Sequence, residues 1–171
     1  MDSSSPGIKY GIYGGIAISI LTLLIYFISE ERLFSLAPSL LGFLVYIVAM
    51  VMAVRDKRTL QGDLISFGES FKEGLKVYLI AALVATITMA LLFNLIDPDL
   101  QNLAKEMTLE RLESARGLLG DEGVEAAIEG IESQGNPYSI QKLLLGYGVS
   151  AIFGVIISAI IGAIMKKNPQ V

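Results

Sequence analysis

Two carboxylates that share one turn of the chain, Asp97 and Asp99, are the clearest candidates for chemistry in this sequence. Such a pair could bind a cation or supply a general acid and a general base. The intervening Pro98 favours a simpler interpretation. A residue before proline is pushed out of the helical region, and Asp97 can cap a new helix that has Pro98 at its first position. We therefore interpret Asp97, Pro98 and Asp99 as a helix stop and a helix cap.

A second group of charged residues recurs at three- and four-residue spacing: Glu69, Lys72, Glu73 and Lys76. That spacing places all four on one face of a helix, with Glu69–Lys72 and Glu73–Lys76 as possible ion pairs. Ser66 and Glu69 fit a capping box that would start this helix. The lysine stems can lie along apolar surface while their charges reach water. We predict a charge cluster at a membrane surface.

Most other site chemistry lacks the residues it needs. The sequence contains no Cys, His or Trp, which excludes disulfides, thiol chemistry, Cys/His zinc sites and haem held by His or Cys. Nucleotide-binding, serine-hydrolase and zinc-protease motifs are missing. A net charge of −4 gives no case for nucleic-acid binding. We predict no catalytic residue, cofactor or metal.

Four apolar stretches of about twenty residues dominate a chain that is 53% hydrophobic. Backbone polar groups in lipid must be satisfied within the segment, so each stretch is predicted to be a helix. The predicted spans are about 10–28, 33–54, 75–96 and 143–165, in one membrane domain, 1–171. The first exceeds the apolar core of a signal peptide and is expected to be retained. The middle of each span has no charged residue, which argues against an ion-coupled transporter.

Basic residues are distributed unequally between the two predicted sides. Eight precede the first span, connect the second to the third or follow the fourth, against five on the other side. Under the positive-inside rule, both termini are expected in the cytoplasm. The charge distribution therefore predicts a multi-pass protein with both termini on the cytoplasmic side, and the resemblance described below implies a bacterial cytoplasmic membrane.

The segment of about 97–138 differs in composition from the spans. Residues 97–142 carry ten acidic against four basic side chains. Apolar residues recur at helical spacing on both sides of Gly120, a residue that can end a helix, and Asp121 can cap the next one. We predict an acidic helical hairpin outside the membrane, between the third and fourth helices. It could be a docking surface or a solvated cap.

Small residues recur at four-residue spacing in two spans. Gly11 and Gly15 do so in the first, and Gly146, Ser150, Gly154, Ser158 and Gly162 do so in the fourth. Such stripes let another helix approach closely. The partner is expected to be another helix of this chain or a second copy.

The lead-in to the third span, Phe67-Gly68-Glu69 with Phe71, Lys72, Gly74 and Lys76, together with Asp97-Pro98, carries a family resemblance. With the order of spans, these residues resemble the bacterial membrane proteins of the domain-of-unknown-function family 4199, which is typical of Bacteroidota. The resemblance covers nearly the whole chain. It implies a membrane location and four helices, and it implies no activity.

These observations predict an all-α membrane protein with four transmembrane helices and three possible functions. The first is a non-enzymatic subunit of the cell envelope that assembles with itself or with a membrane-protein partner in the lipid bilayer. The second is an oligomeric transport or channel component for a neutral or lipidic solute. The third is an interfacial enzyme that uses Asp97 and Asp99, or Glu69 and Glu73.

Overall fold

A computed structural model describes residues 5–167 of the chain. Its helices are α1 (Pro6–Ile28), α2 (Leu36–Leu60), α3 (Phe67–Leu91), α4 (Leu100–Ser114), α5 (Arg116–Gln134) and α6 (Ile140–Met165). A 3-10 turn covers Glu30–Phe34, and a π-helical turn, Leu92–Ile96, continues α3. Four helices, α1, α2, α3 and α6, are long and apolar enough to cross a membrane. The predicted helical fold class and the four apolar helices are confirmed. Residues 1–4 and 168–171 of the predicted domain lie outside the described part.

The helix bounds differ from the predicted spans for local reasons. α1 starts at Pro6, because proline fits the first turn of a helix. α2 starts at Leu36, since the 3-10 turn takes up the residues before it. It continues past Val54 to Leu60, so the basic residues that follow Val54 lie on helix and not in a loop. Cations are favoured in the last turn of a helix, where they face the negative end of its dipole.

α3 is the central helix of the bundle. It packs against α1, α2 and α6, whereas α2 and α6 contact each other only sparsely. Met50, Val54 and Val77 are fully buried in the core around it. One end of the bundle, here named the basic end, holds the starts of α1 and α3 and the ends of α2 and α6. There Ile65 and Lys167 exchange two backbone hydrogen bonds, of 3.0 and 2.9 Å, which join the α2–α3 loop to the residues after α6.

The far end of the bundle is built around the π-helical turn. The Asp97 N–H donates to the Leu92 carbonyl at 2.8 Å, five residues back, which widens the last turn. Phe93 is fully buried, and its ring stacks on Tyr138 with centroids 4.1 Å apart. Asn94 donates through Nδ2 to the Ala90 and Tyr138 carbonyls. The end of α3 is thereby fixed to the connection between α5 and α6.

Helices α4 and α5 contact each other, and Lys105 Nζ lies 3.9 Å from Glu132 Oε1. The predicted break at Gly120 is present, with a left-handed φ of 72° that favours glycine. The prediction that Asp121 caps the next helix is wrong. Its carboxylate accepts a 2.7 Å hydrogen bond from Arg116, which also pairs with Glu113 at 2.7 Å.

Candidate functional site

The predicted charge cluster does not form one surface. Glu73 is only 4% exposed. Its carboxylate accepts hydrogen bonds from the Gly7 N–H at 2.7 Å and from Lys76 Nζ at 2.8 Å. Glu69 completes the predicted capping box with Ser66 and accepts from Gln61 Nε2 at 2.6 Å. The expected Glu69–Lys72 ion pair is not formed, because Ser66 and Gln61 occupy that carboxylate.

The three residues interpreted as a helix stop and cap fit that interpretation only in part. Asp97 follows the last helical residue, but its side chain does not cap α4. Its carboxylate accepts a 3.0 Å hydrogen bond from the Tyr26 hydroxyl, which joins the end of α1 to the end of α3. α4 begins at Leu100, so Pro98 is not its first residue. Asp99 occupies the cap position without a side-chain cap bond.

The small-residue stripes of α1 and α6 both face α3. A Cβ built on Gly11 would lie 2.8 Å from Ile80, and one on Gly15 would lie 2.6 Å from Val84. On α6, a Cβ on Gly154 would overlap the Tyr78 ring, and one on Gly162 would lie 3.1 Å from the Phe71 nitrogen. Ser158 is fully buried beside Gly74, and its hydroxyl donates back to the Gly154 carbonyl at 2.6 Å.

One member of the α6 stripe, Gly146, lies away from this contact. A Cβ on Gly146 would have no neighbour within 4 Å. Ser150 is half-buried and donates to the Tyr147 carbonyl. The contact with α3 thus involves Gly154, Ser158 and Gly162. Of the two partners expected from the sequence, another helix of this chain or a second copy, the structure shows a helix of this chain, α3.

Sequence reasoning did not predict a cavity of about 450 Å³ that lies between α1, α2, α3 and α6. Binding pockets for small molecules are commonly of this size. Along α3 the lining runs from Tyr78 to Met89, roughly 16 Å at about 1.5 Å per residue. The cavity therefore extends from the middle of the bundle toward its far end. The side chains that form it are mostly apolar: Ile18, Leu21, Ile25, Leu33, Phe43, Met89, Phe153 and Ile157.

A stacked pair of tyrosines forms the inner end of this cavity. The Tyr46 and Tyr78 rings lie 5.0 Å apart and 30° from parallel. Among the described residues neither hydroxyl has a hydrogen-bond partner, although buried tyrosine hydroxyls usually find one. The Thr22 hydroxyl, also in the lining, donates to the Ile18 carbonyl at 2.9 Å. The two phenols can donate hydrogen bonds to a molecule held in the cavity.

The cavity reaches the outside of the bundle between α2 and α6. Phe43 of α2 and Phe153 of α6 both line it, yet they are 48% and 60% exposed. Side chains that face the cavity and the exterior together lie at its margin. Because α2 and α6 have few contacts with each other, this side is the open one.

Comparison with known proteins identifies the family without adding an activity. A family described as Protein of unknown function (DUF4199) matches residues 9–167. The chain belongs to the DUF4199 family. The matched range starts in the first turn of α1 and ends at Lys167, so it includes all four apolar helices. No curated protein and no solved structure matches the chain.

Within this DUF4199 chain, one sequence signal could have indicated the cavity. Tyr46 and Tyr78 each lie inside an apolar helix, where a polar tip needs a partner. The gap between α2 and α6 had no comparable signal. The gap depends on the distance between α2 and α6, and no local pattern in the sequence of either helix indicates that distance.

Proposed function

We propose that this DUF4199 protein binds a neutral, mainly apolar molecule of lipid-like character in the cavity between its four long helices. The observation that carries the proposal is the cavity itself, with its apolar walls, two tyrosine hydroxyls at its inner end and a margin at Phe43 and Phe153. The molecule would enter sideways from the hydrocarbon region. This function corresponds to a transport or carrier component for a lipidic solute.

The side chains of the lining favour a neutral ligand. They include no Asp, Glu, Lys or Arg. A charged group placed among apolar walls would be unpaired and costly. A hydroxyl, ester or carbonyl oxygen could accept hydrogen bonds from Tyr46 and Tyr78. A diacylglycerol has this combination of oxygen atoms and alkyl chains.

Photolabelling with a diacylglycerol that carries a diazirine on its acyl chain tests the proposal. The purified protein is reconstituted in lipid nanodiscs, labelled, and mapped by mass spectrometry. Gly42 lines the cavity, and a Cβ there would meet nothing within 4 Å. Gly42→Leu should therefore fill the cavity without a clash and reduce labelling of its lining several-fold.

Gly148→Leu is the matched control, since Gly148 is exposed on α6, has equally open space and lies outside the lining. It should leave the labelling unchanged. Equal labelling of the two variants and the natural protein, or adducts spread evenly over exposed helix faces, would overturn the proposal.

The location that we propose is a bacterial cytoplasmic membrane, with both termini in the cytoplasm and helices α4 and α5 on the other side. The charge distribution supports this orientation. Arg55, Lys57, Arg58, Lys72, Lys76 and Lys167 all lie at the basic end. Cytoplasmic sides of membrane proteins are rich in Lys and Arg.

A second candidate function is a non-enzymatic assembly subunit that binds another copy or another envelope protein. The α6 stripe no longer supports it, because Gly154, Ser158 and Gly162 already contact α3. What favours it is Leu118, which is 93% exposed in the segment before Gly120, next to the half-exposed Leu119. Leu118→Ser with Leu119→Ser should reduce the size of the complex in mild detergent. An unchanged elution volume would count against it.

A further inference from the structure

A second apolar depression, of about 760 Å³, lies between α1 and α2 on the outside of the bundle. We name it the α1–α2 groove. Its floor consists of the small residues Gly14, Ala17 and Ala49, and its sides include Leu24, Leu41 and Val48. It shares only Leu21 with the lining of the cavity described above, and the proposed function makes no use of it.

The groove has the length of an acyl chain. From Tyr10 to Leu24 it follows α1 for roughly 21 Å at about 1.5 Å per residue. One leaflet of a bilayer has a hydrocarbon depth of about 15 Å, half of a core of about 30 Å. A chain lying in the groove would contact protein over the depth of its leaflet.

The basic end of the groove has more positively than negatively charged residues beside it. Lys9 Nζ lies 5.4 Å from the Tyr10 ring centroid and 6.0 Å from that of Tyr13, and both rings line the groove. On α2, Asp56 accepts a 2.7 Å hydrogen bond from the Tyr10 hydroxyl, so this turn of α2 faces α1. Arg55 is its neighbour in the chain.

Position along α2 places Arg55 next to the groove. Met52 lines the groove, and Arg55 follows it by three residues, the spacing of neighbours on one helix face. Lys9 and Arg55 are both exposed, and neither forms an ion pair with another described residue. The Asp56 carboxylate, next to Arg55 in the chain, accepts the hydrogen bond from the Tyr10 hydroxyl and forms no ion pair among the described residues. The basic end of the groove therefore offers two cations to an anion.

We propose that the α1–α2 groove is a binding site for an anionic glycerophospholipid. One acyl chain lies on Gly14, Ala17 and Ala49, and the phosphate lies between Lys9 and Arg55. Charge complementarity selects this occupant over a helix of a second copy, which would have no need of two cations at the end of an apolar groove. Tyr13 lies beside Lys9, and tyrosines are enriched where membrane helices meet lipid headgroups.

Native mass spectrometry of the detergent-purified chain, incubated with dioleoyl phosphatidylglycerol or dioleoyl phosphatidylcholine, tests the site. The retained phosphatidylglycerol adduct should be favoured about thirtyfold, the scale expected for two basic residues near a headgroup. Lys9→Gln with Arg55→Gln should abolish that preference. The control is Lys57→Gln with Lys72→Gln, which removes two positive charges at the same end and should keep the preference. Lys57 lies five residues after Met52, off the helix face that Arg55 shares with it, and Lys72 lies on α3.

The groove itself is tested by Ala17→Leu, which fills its floor and should reduce retention of both lipids. Ala163→Leu, on an exposed position of α6, is the matched control. Equal retention of the two lipids by the natural protein, or unchanged retention in the Lys9 and Arg55 variant, would overturn the proposal. A protein dimer that Ala17→Leu dissociates would overturn it in favour of a second copy. Gly42→Leu should leave this adduct unchanged, which separates the result from that of the cavity.

Discussion

A single hydrogen atom at Gly154 decides how closely α6 approaches α3. A methyl group there would overlap the Tyr78 ring, so the contact depends on the absence of a side chain. Gly146 belongs to the same four-residue repeat but faces open space. Spacing alone therefore does not determine a glycine's role. The neighbour across the interface determines it, and that neighbour is a residue 76 positions earlier in the chain.

Gly154→Leu should lower the melting temperature of the protein in detergent, whereas Gly146→Leu should not. The first substitution overpacks a buried contact, which typically costs about 1–3 kcal/mol. The second adds a side chain to open space and removes a flexible glycine from a helix, which is neutral or stabilising. Thermal unfolding followed by circular dichroism measures both. Equal melting temperatures for the two variants would contradict the internal role of Gly154.

Glu113 provides a prediction of pH dependence. Hydrogen bonds from Arg116 hold the pKa of the Glu113 carboxyl below its usual value. Because the pKa of Glu113 is lower in the folded state than in the unfolded state, the pair stabilises the fold at pH values above the unfolded-state pKa. This contribution is lost as the pH falls through the folded-state pKa. A ¹³C titration of the side-chain carboxyl should show the low pKa, and Arg116→Gln should return it toward the usual range. An unchanged titration midpoint in that variant would show that Arg116 is not the cause.

At the scale of elements, α1 is fixed to the bundle by a carboxylate of another helix. Glu73 of α3 accepts from the Gly7 N–H, one of the free donors in the first turn of α1. A negative charge at that position also faces the positive end of the α1 dipole. At the other end, Tyr26 of α1 donates to Asp97, and between them the Ser19 and Thr88 hydroxyls lie 2.7 Å apart. Polar contacts therefore connect α1 to the α3 segment at three levels.

Glu73→Ala should destabilise the docking of α1 more than Glu73→Gln. Alanine leaves a buried N–H without its acceptor, a loss of about 1–3 kcal/mol, whereas glutamine keeps an oxygen for Gly7. Melting temperatures in one detergent compare the two variants. Glu31→Ala, at an exposed carboxylate in the 3-10 turn, is the control and should have little effect. If the alanine and glutamine variants have the same melting temperature, the hydrogen bond from the Gly7 N–H does not contribute to stability.

The elements that sequence predicted well are those with local signals. Long apolar stretches predict α1, α2, α3 and α6, and the Ser66–Glu69 spacing predicts the start of α3, with its capping box. The burial of Glu73 and the Tyr26–Asp97 bond had no local signal. Both depend on residues more than sixty positions apart meeting in the bundle. The cavity is a similar case, since it results from four helices diverging together.

At the scale of the whole molecule, one helix organises the other three. α3 contacts the glycines of α1 and the small residues of α6. α2 completes the core at the basic end. The small residues of α1 and α6 therefore pack closely against α3. Because α2 and α6 have few contacts with each other, the cavity lies open on their side of the bundle. The same arrangement therefore explains the tight part of the bundle and its open part.

The orientation of the molecule can be measured directly, because the natural sequence has no cysteine. Thr59→Cys and Ser133→Cys are near-isosteric changes at exposed positions, the first near the end of α2 and the second near the end of α5. With the basic end in the cytoplasm, a membrane-impermeant maleimide should label Ser133→Cys in intact bacterial spheroplasts. Thr59→Cys should react only after lysis. The reverse pattern would invert the proposed topology, and labelling of both before lysis would place residues 59 and 133 on one side, against four membrane crossings.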